Sequence, residues 1–307
     1  MAVTASGSER LGLGTAPLGN LFTAITEEVA ASTVRAAWDA GVRWFDTAPQ
    51  YGHGLAESRL GAVLRELPRS EFTVASKVGR LLRHVSPRPA TIFRDVPNVD
   101  PVFDFSRDGV LRSIDESLAR LGLDALDVVH VHDPDDHERQ ALDETFPTLI
   151  ELRDQGVIEA IGCGMNQSAM LERFVREVDL DVVLLAGRYS LLDRSGEHLL
   201  DECAARGVQV ILGGVFNSGL LVRPTADATF DYAVAPPGLV ARAAAMQEVC
   251  AGFGVELPAA ALQFALRHPA VHRVLFGARS RAEVLADVAY GTSAVPETLW
   301  PALEAIR

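Results

Sequence analysis

The chain is poor in cysteine: Cys163, Cys203 and Cys250 are the only three in 307 residues, and they lie far apart. They form no C-x-x-C pair and no disulfide framework, which suits a reducing, cytoplasmic setting. Each reads as a small buried hydrophobe. Basic residues are also scarce, with 28 Lys and Arg against 41 Asp and Glu and a net charge of −13. That balance repels phosphate backbones and anionic lipid, so neither nucleic acid nor membrane is an expected partner. A local basic patch can still hold one small anionic cofactor. No apolar run is long enough to span a bilayer, and Met1–Arg10 has no stretch of signal-peptide length. No linker and no low-complexity tract breaks the chain, so 1–307 reads as one domain.

What is present is ordinary globular material, 48% hydrophobic and 22% charged, enough to build a rigid core. Short apolar runs alternate with longer amphipathic stretches. Strands are expected at Val42–Phe45, Phe72–Ser76, Leu126–Val131, Val157–Cys163, Asp181–Ala186, Val208–Leu212 and Val271–Phe276, with Leu11–Leu18 as an eighth. Helices are expected at Thr26–Ala40, Ala56–Leu67, Ser106–Leu121, Leu142–Gln155, Ser168–Val178, Gly196–Arg206 and Leu239–Phe253, with a last one from near Ser280. Gly41, Gly156 and Gly207 each stand between a helix and the next strand, where a left-handed residue turns the chain back. Eight β-then-α units in series point to a (β/α)8 TIM barrel with long βα loops; a doubly wound open sheet is the alternative. Three connections exceed what a barrel needs, at 79–105, 133–144 and 214–237. All follow strands, so they read as pocket walls or lids, or as subunit contacts.

In such a barrel, reactive groups sit at the C-terminal ends of strands. Asp46, Lys77 and His132 end the second, third and fourth strands, and Tyr51 lies just past the second. A Lys ammonium beside a Tyr phenol favours the phenolate, and an Asp beside the Lys keeps it charged. Such a Tyr takes a proton from a hydroxyl, or gives one to a carbonyl, while a His orients the same oxygen. Taken singly, Asp46 before Thr47 also fits a turn, Lys77 a solvated strand end and Tyr51 a packed loop aromatic. Their joint placement is what speaks for chemistry. His130, two residues before His132, reads as a barrel-interior residue one layer down. The H-x-H pattern also evokes metal-dependent barrel hydrolases, but their pair belongs on the first strand, and no matching ligand set follows. No metal is expected.

Gly12–Gly19, Phe45–Gly61, Ala75–Val78 and Asp127–Pro134 together resemble the aldo-keto reductase superfamily, and the resemblance runs from about Leu11 to the last helix. It implies a barrel, a nicotinamide dinucleotide, and Tyr51 as acid–base within the tetrad Asp46, Tyr51, Lys77 and His132. It further implies Asn166 at the carboxamide, although Met165 departs from the usual Ser, and Tyr189 stacked on the nicotinamide. Ala186 stands where many members have Gln. Gly213–Leu221 resembles the pyrophosphate loop, implicating Gly214, Val215, Asn217, Ser218 and Gly219. At the last helix the implied contacts are Gly277, Arg279, Ser280, Glu283 and Asp287. Members preferring NADP have basic residues where Gly277 and Glu283 stand, which favours NAD; against this, Ser280-x-x-Glu283 is also a capping box, and Arg279 and Arg281 can pair with a phosphate.

Thr15–Asn20, Pro49–Gly52 and Gly214–Leu221 resemble the branch containing L-fucose, D-threo-aldose and L-galactose dehydrogenases, which oxidise sugars at C1 to the lactone. Pyridoxal 4-dehydrogenase is the runner-up, and general aldehyde or ketone reduction stands third. A cofactor-binding regulatory subunit is the reading from another class. Phe22, His53, Arg80 and Asp133 are the expected substrate contacts, and the substrate is a small sugar, aldehyde or alcohol.

Overall fold

The computed structural model describes residues 7–87, 89–231 and 233–306. Eight parallel strands close into a barrel: β1 Leu11–Gly14, β2 Trp44–Asp46, β3 Thr73–Val78, β4 Val128–His132, β5 Ala160–Met165, β6 Val182–Ala186, β7 Gln209–Gly213 and β8 Val271–Gly277. Each strand pairs with its neighbours in chain order, and β8 closes on β1 through Leu11↔Val274 to Gly14↔Gly277. This is the expected (β/α)8 barrel.

The surrounding helices are α1 Glu27–Asp39, α2 Leu55–Leu64, α3 Arg107–Leu121, α4 Phe146–Asp154, α5 Ser168–Glu177, α6 Glu197–Arg206, α7 Pro237–Gly252, α8 Leu257–Ala265, α9 Arg281–Thr292 and α10 Leu299–Glu304. Local chemistry sets several of their ends. Thr26, Ser106 and Ser280 accept from Val29 N, Gly109 N and Glu283 N, each satisfying a backbone donor in the first turn. Gly41, Gly156 and Gly207 adopt φ of +88°, +72° and +74° at the turns into the strands.

Three details differ from the sequence reading. The first strand stops at Gly14, and Ala16–Gly19 winds into a 3-10 turn beneath the barrel mouth. The fifth strand begins at Ala160 rather than Val157, because Val157 N bonds back to Leu152 O and closes the preceding helix. Helix α8 was not foreseen: eight of its nine residues are buried, so its sequence has no polar stripe to betray a helical period.

The long connections carry small structures. Arg80–Arg83 pairs antiparallel with Asp100–Phe103, and a π-helical turn, Ala141–Thr145, leads into α4. Thr229–Phe230 pairs with Ala233–Val234. Among the described residues, no helix is long and apolar enough to cross a membrane.

Candidate functional site

Parallel register brings the tetrad to one mouth. Asp46 is the last residue of β2, Lys77 the penultimate residue of β3 and His132 the last of β4. Lys77 stands in register with His130, and His130 with Gly162 on β5. Since strand side chains alternate, His130 and His132 face the same interior, one layer apart. Tyr51 arrives from the loop after β2. That loop approaches the Ala16–Gly19 turn so closely that a Cβ on Gly19 would lie 2.5 Å from Gly52 N, and only glycine fits there.

The Lys77 ammonium donates to Asp46 Oδ1 at 2.6 Å and to the Thr47 carbonyl at 2.8 Å, and both side chains are buried. Its Nζ lies 4.9 Å from the centre of the Tyr51 ring, which meets the His132 ring edge-on at 5.9 Å and 90°. Burial opposes the charge on Lys77, but Asp46 and Tyr51 more than restore it, so the ammonium is held. Burial also raises the Asp46 carboxyl, with Lys77 acting against that rise. Burial, helped by the positive Arg80 and Lys77, holds His132 well below its ordinary value, so it stays neutral. A neutral imidazole can donate one hydrogen bond to a substrate oxygen without carrying charge.

His130 is fully buried, and neither ring nitrogen has a protein partner. Its Nδ1 occupies the space over Gly162, where a Cβ would come within 2.5 Å. Burial and the nearby Lys77 push its pKa down to about 3. In the unfolded chain an imidazole takes its proton below about pH 6.5. Between pH 6.5 and about 3 the unfolded state therefore binds more protons, and this histidine costs stability as the pH falls. His130→Leu is expected to gain about 3 kcal/mol over the parent at pH 4, on top of any difference at pH 7. Urea unfolding at both pH values checks this, and an unchanged pH dependence would count against it.

Arg80 Nη2 donates to Asp133 Oδ2 at 2.9 Å, the guanidinium sits 4.9 Å from the Phe103 ring centre, and Asp133 Oδ2 lies 3.6 Å from His132 Nε2. Burial raises the Asp133 carboxyl and Arg80 pulls it back. Phe22 is 46% exposed beside the Leu21↔Phe93 bridge, a position open to substrate. His53 is corrected: its ring is 3% exposed, with Nδ1 2.6 Å from the Val99 carbonyl and Nε2 3.2 Å from Thr91 Oγ1. It pins the long 79–105 connection to the start of α2 instead of facing a substrate.

Four of the six residues Gly214–Gly219 have positive φ: Gly214 (+66°), Asn217 (+47°), Ser218 (+56°) and Gly219 (+94°). Such a run folds the backbone into a concave turn of the kind that suits phosphate oxygens. Val215 is buried beneath the loop. The Asn217 side chain is spent on structure, receiving Ser190 Oγ at 2.6 Å. Asn166 is exposed just past β5. Tyr189 is also corrected. Its ring is 6% exposed, stacks on Phe264 of α8 at 5.3 Å and meets His268 edge-on, so its aromatic faces serve packing rather than a nicotinamide.

At the last helix, Glu283 accepts from Arg279 N at 2.7 Å and from Arg279 Nη2 at 3.1 Å, while Ser280 Oγ caps Glu283 N. Arg281 lies 4.0 Å from Asp39. Both arginines thus face carboxylates. Gly277 is exposed with Pro17 close by, and Asp287 is pushed up to about 7 by burial and by Glu283.

Two supports escaped the sequence reading. Glu57, fully buried in α2, accepts from Ser76 Oγ at 2.8 Å and Arg120 Nε at 2.6 Å, bracing the strand that carries Lys77. Arg59 donates to Leu18 O, Asn20 Oδ1 and Ile25 O, holding the segment that carries Phe22. Charged residues on the apolar face of an otherwise amphipathic helix were the available signal. Among the described residues, no group of three or more His, Cys, Asp or Glu could hold a metal ion.

The family model for the Aldo/keto reductase family matches residues 10–307. D-threo-aldose 1-dehydrogenase of Pseudomonas sp is 41% identical, over 97% of this chain and 93% of its own length. Pyridoxal 4-dehydrogenase of Microbacterium luteolum is 40% identical, over 95% and 92%. L-galactose dehydrogenase of Arabidopsis thaliana is 33% identical, over 91% and 83%. The glycerol dehydrogenase from Gluconobacter oxydans superposes with a TM-score of 0.78 at 23% identity, covering 97% of this chain and 90% of that one, a likeness of fold. A barrel of this topology, with matches running nearly end to end, settles the grouping: the chain belongs to the aldo/keto reductase family.

Proposed function

We propose that this oxidoreductase oxidises an aldose at C1 to the lactone, with NAD as the favoured acceptor and NADP as the alternative. The observation that carries the reading is the buried Lys77–Asp46 pair beneath Tyr51, with neutral His132 alongside. A bound nicotinamide dinucleotide supplies the hydride acceptor. Its pyrophosphate suits Gly214, Val215, Ser218 and Gly219, with Asn217 shaping that loop, and its carboxamide suits Asn166. The adenosine end suits Gly277, Arg279, Ser280, Glu283 and Asp287.

Tyr51, as phenolate, takes the proton of the anomeric hydroxyl. Lys77 stabilises that phenolate by charge, and Asp46 holds Lys77 in place. His132 donates to the same oxygen and fixes its direction. Run backwards, Tyr51 returns the proton to a carbonyl oxygen, which is the reductase direction.

The Arg279–Glu283 pair supports NAD. Glu283 already engages Arg279, and its carboxylate would repel a 2′-phosphate while suiting a ribose diol. The pyridoxal 4-dehydrogenase reading draws support from the exposed rings of Phe22 and Phe103 at the rim, which suit a flat aromatic alcohol. A complete tetrad speaks for turnover over a purely regulatory role. Three buried thiols suit a cytoplasmic location.

Absorbance at 340 nm, followed with a panel of aldoses and pyridoxal against each cofactor, tests all of this. The expected outcome is lactone formation from an aldose, with a specificity constant for NAD at least about tenfold above that for NADP. A higher constant for NADP would overturn the cofactor reading, and turnover of pyridoxal alone would overturn the substrate reading.

A further inference from the structure

The proton chemistry assigned to Tyr51, Lys77, Asp46 and His132 leaves one charged pair at the mouth without a task. Asp133 follows His132 directly and adopts φ of +43°, a conformation unfavourable for most residues and tolerated by Asp and Asn. Its backbone N donates to Gly164 O at 3.1 Å, which holds the residue in that turn. Arg80 reaches it from the excursion after β3, with a guanidinium resting on Phe103 and a buried Nε that has no partner. A partly exposed ion pair contributes little to stability, and a non-glycine residue held at positive φ works against it. Stability alone therefore gives a weak reason for this arrangement.

The geometry gives a better one. Asp133 Oδ2 lies 3.6 Å from His132 Nε2. A substrate oxygen held by His132 Nε2 on the reacting carbon sits within reach of this carboxylate. The next hydroxyl along the substrate, on the adjacent carbon, then falls between that oxygen and Asp133. An ionised carboxylate only accepts hydrogen bonds, so it selects a donor at that place. Arg80 occupies one side of the carboxylate, favours its charged form against burial, and aims it.

We propose that Asp133, held by Arg80, accepts a hydrogen bond from the hydroxyl on the carbon adjacent to the reacting carbon. The site then selects aldoses with a free C2 hydroxyl over their 2-deoxy counterparts. The inference rests on the aldose reading and adds to it the atom by which the sugar is recognised. Pyridoxal has no hydroxyl on the ring carbon next to its reacting carbon, so the pair discriminates against it as well.

The experiment compares specificity constants with NAD for D-arabinose against 2-deoxy-D-ribose, and for L-fucose against 2-deoxy-L-fucose. Wild type is set beside Asp133→Asn and Asp133→Gly, both of which accept the positive φ and so keep the backbone. Effects transmitted through His132, and the different intrinsic reactivity of the deoxy sugars, act on both members of a pair and cancel in the ratio across variants. Wild type is expected to prefer the 2-hydroxy sugar by about tenfold to hundredfold, the worth of a hydrogen bond to a charged group. In Asp133→Gly that preference should fall to within about threefold, and in Asp133→Asn, whose amide still bonds a hydroxyl but without charge, it should fall to a lesser extent. An unchanged ratio in the variants, with the sugars still oxidised, overturns the inference alone. Oxidation of pyridoxal and of neither sugar overturns the aldose reading, and the inference with it.

Discussion

Tyr51→Phe is expected to lower kcat by about 10²- to 10⁴-fold while leaving NAD affinity within about twofold. The substitution removes one atom, the phenolic oxygen. The ring that meets His132 edge-on at 5.9 Å is kept, and so is its packing against the core. Lys77 retains Asp46 and the Thr47 carbonyl as partners. What is lost is, among the described residues, the group at the mouth placed to exchange a proton while a cation stabilises its deprotonated form. His132 does not replace it, because burial and the neighbouring cations hold that imidazole neutral with little basicity. Steady-state kinetics and a fluorescence titration with NAD separate the two quantities. Near-full turnover in the variant would remove Tyr51 from the acid–base role.

Lys77→Met carries the second large effect, on activity and stability together. Met fills most of the volume of the lysine stem but leaves the Asp46 carboxylate buried without its cation, and Asp46 Oδ2 already lacks a partner. Removing one member of a buried pair costs about 3–5 kcal/mol. The stranded carboxyl is already raised by burial and rises further without Lys77. A group whose folded pKa lies above its unfolded value favours folding at low pH and loses that contribution as the pH climbs through the folded value. The variant should therefore be least stable relative to wild type in alkaline solution and recover as the pH falls toward about 4. Adding Asp46→Asn removes the stranded charge and should restore most of the stability while restoring no turnover. Urea unfolding at pH 5 and pH 8 checks the first point, and the kinetics of the double variant check the second. A single variant as stable as wild type at pH 8 would mean that the pair is not the buried unit described above.

The barrel was legible because its signals are local and repeated. Apolar runs as short as β2 alternate with amphipathic helices, and glycines such as Gly41, Gly156 and Gly207 mark where each helix ends. The placement of Asp46 and His132 was legible for the same reason: each is the polar residue on which an apolar run ends. Helix α8 was not, because complete burial erases the contrast between faces that a helical period needs. The nicotinamide role of Tyr189 came from the resemblance alone, and with α8 unseen nothing in the sequence set Phe264 against that ring. His53 was misread for a different reason. Its partners Thr91 and Val99 lie 38 and 46 residues further on, in a stretch whose path over the mouth no local pattern reveals.

The sequence by itself determined the eight repeated units, and with them the strand ends where Asp46, Lys77 and His132 stand. Period and chain order suffice for that, since a parallel barrel puts the ends of successive strands on one rim. Only the tertiary structure decided what surrounds the tetrad: Arg80 clamped to Asp133, His53 turned inward as an anchor, and Tyr189 spent on packing. These contacts join residues from different loops and helices. The physical reason is range. A strand face is set by neighbours two residues apart, whereas these side chains choose among partners that only folding brings within a few ångströms.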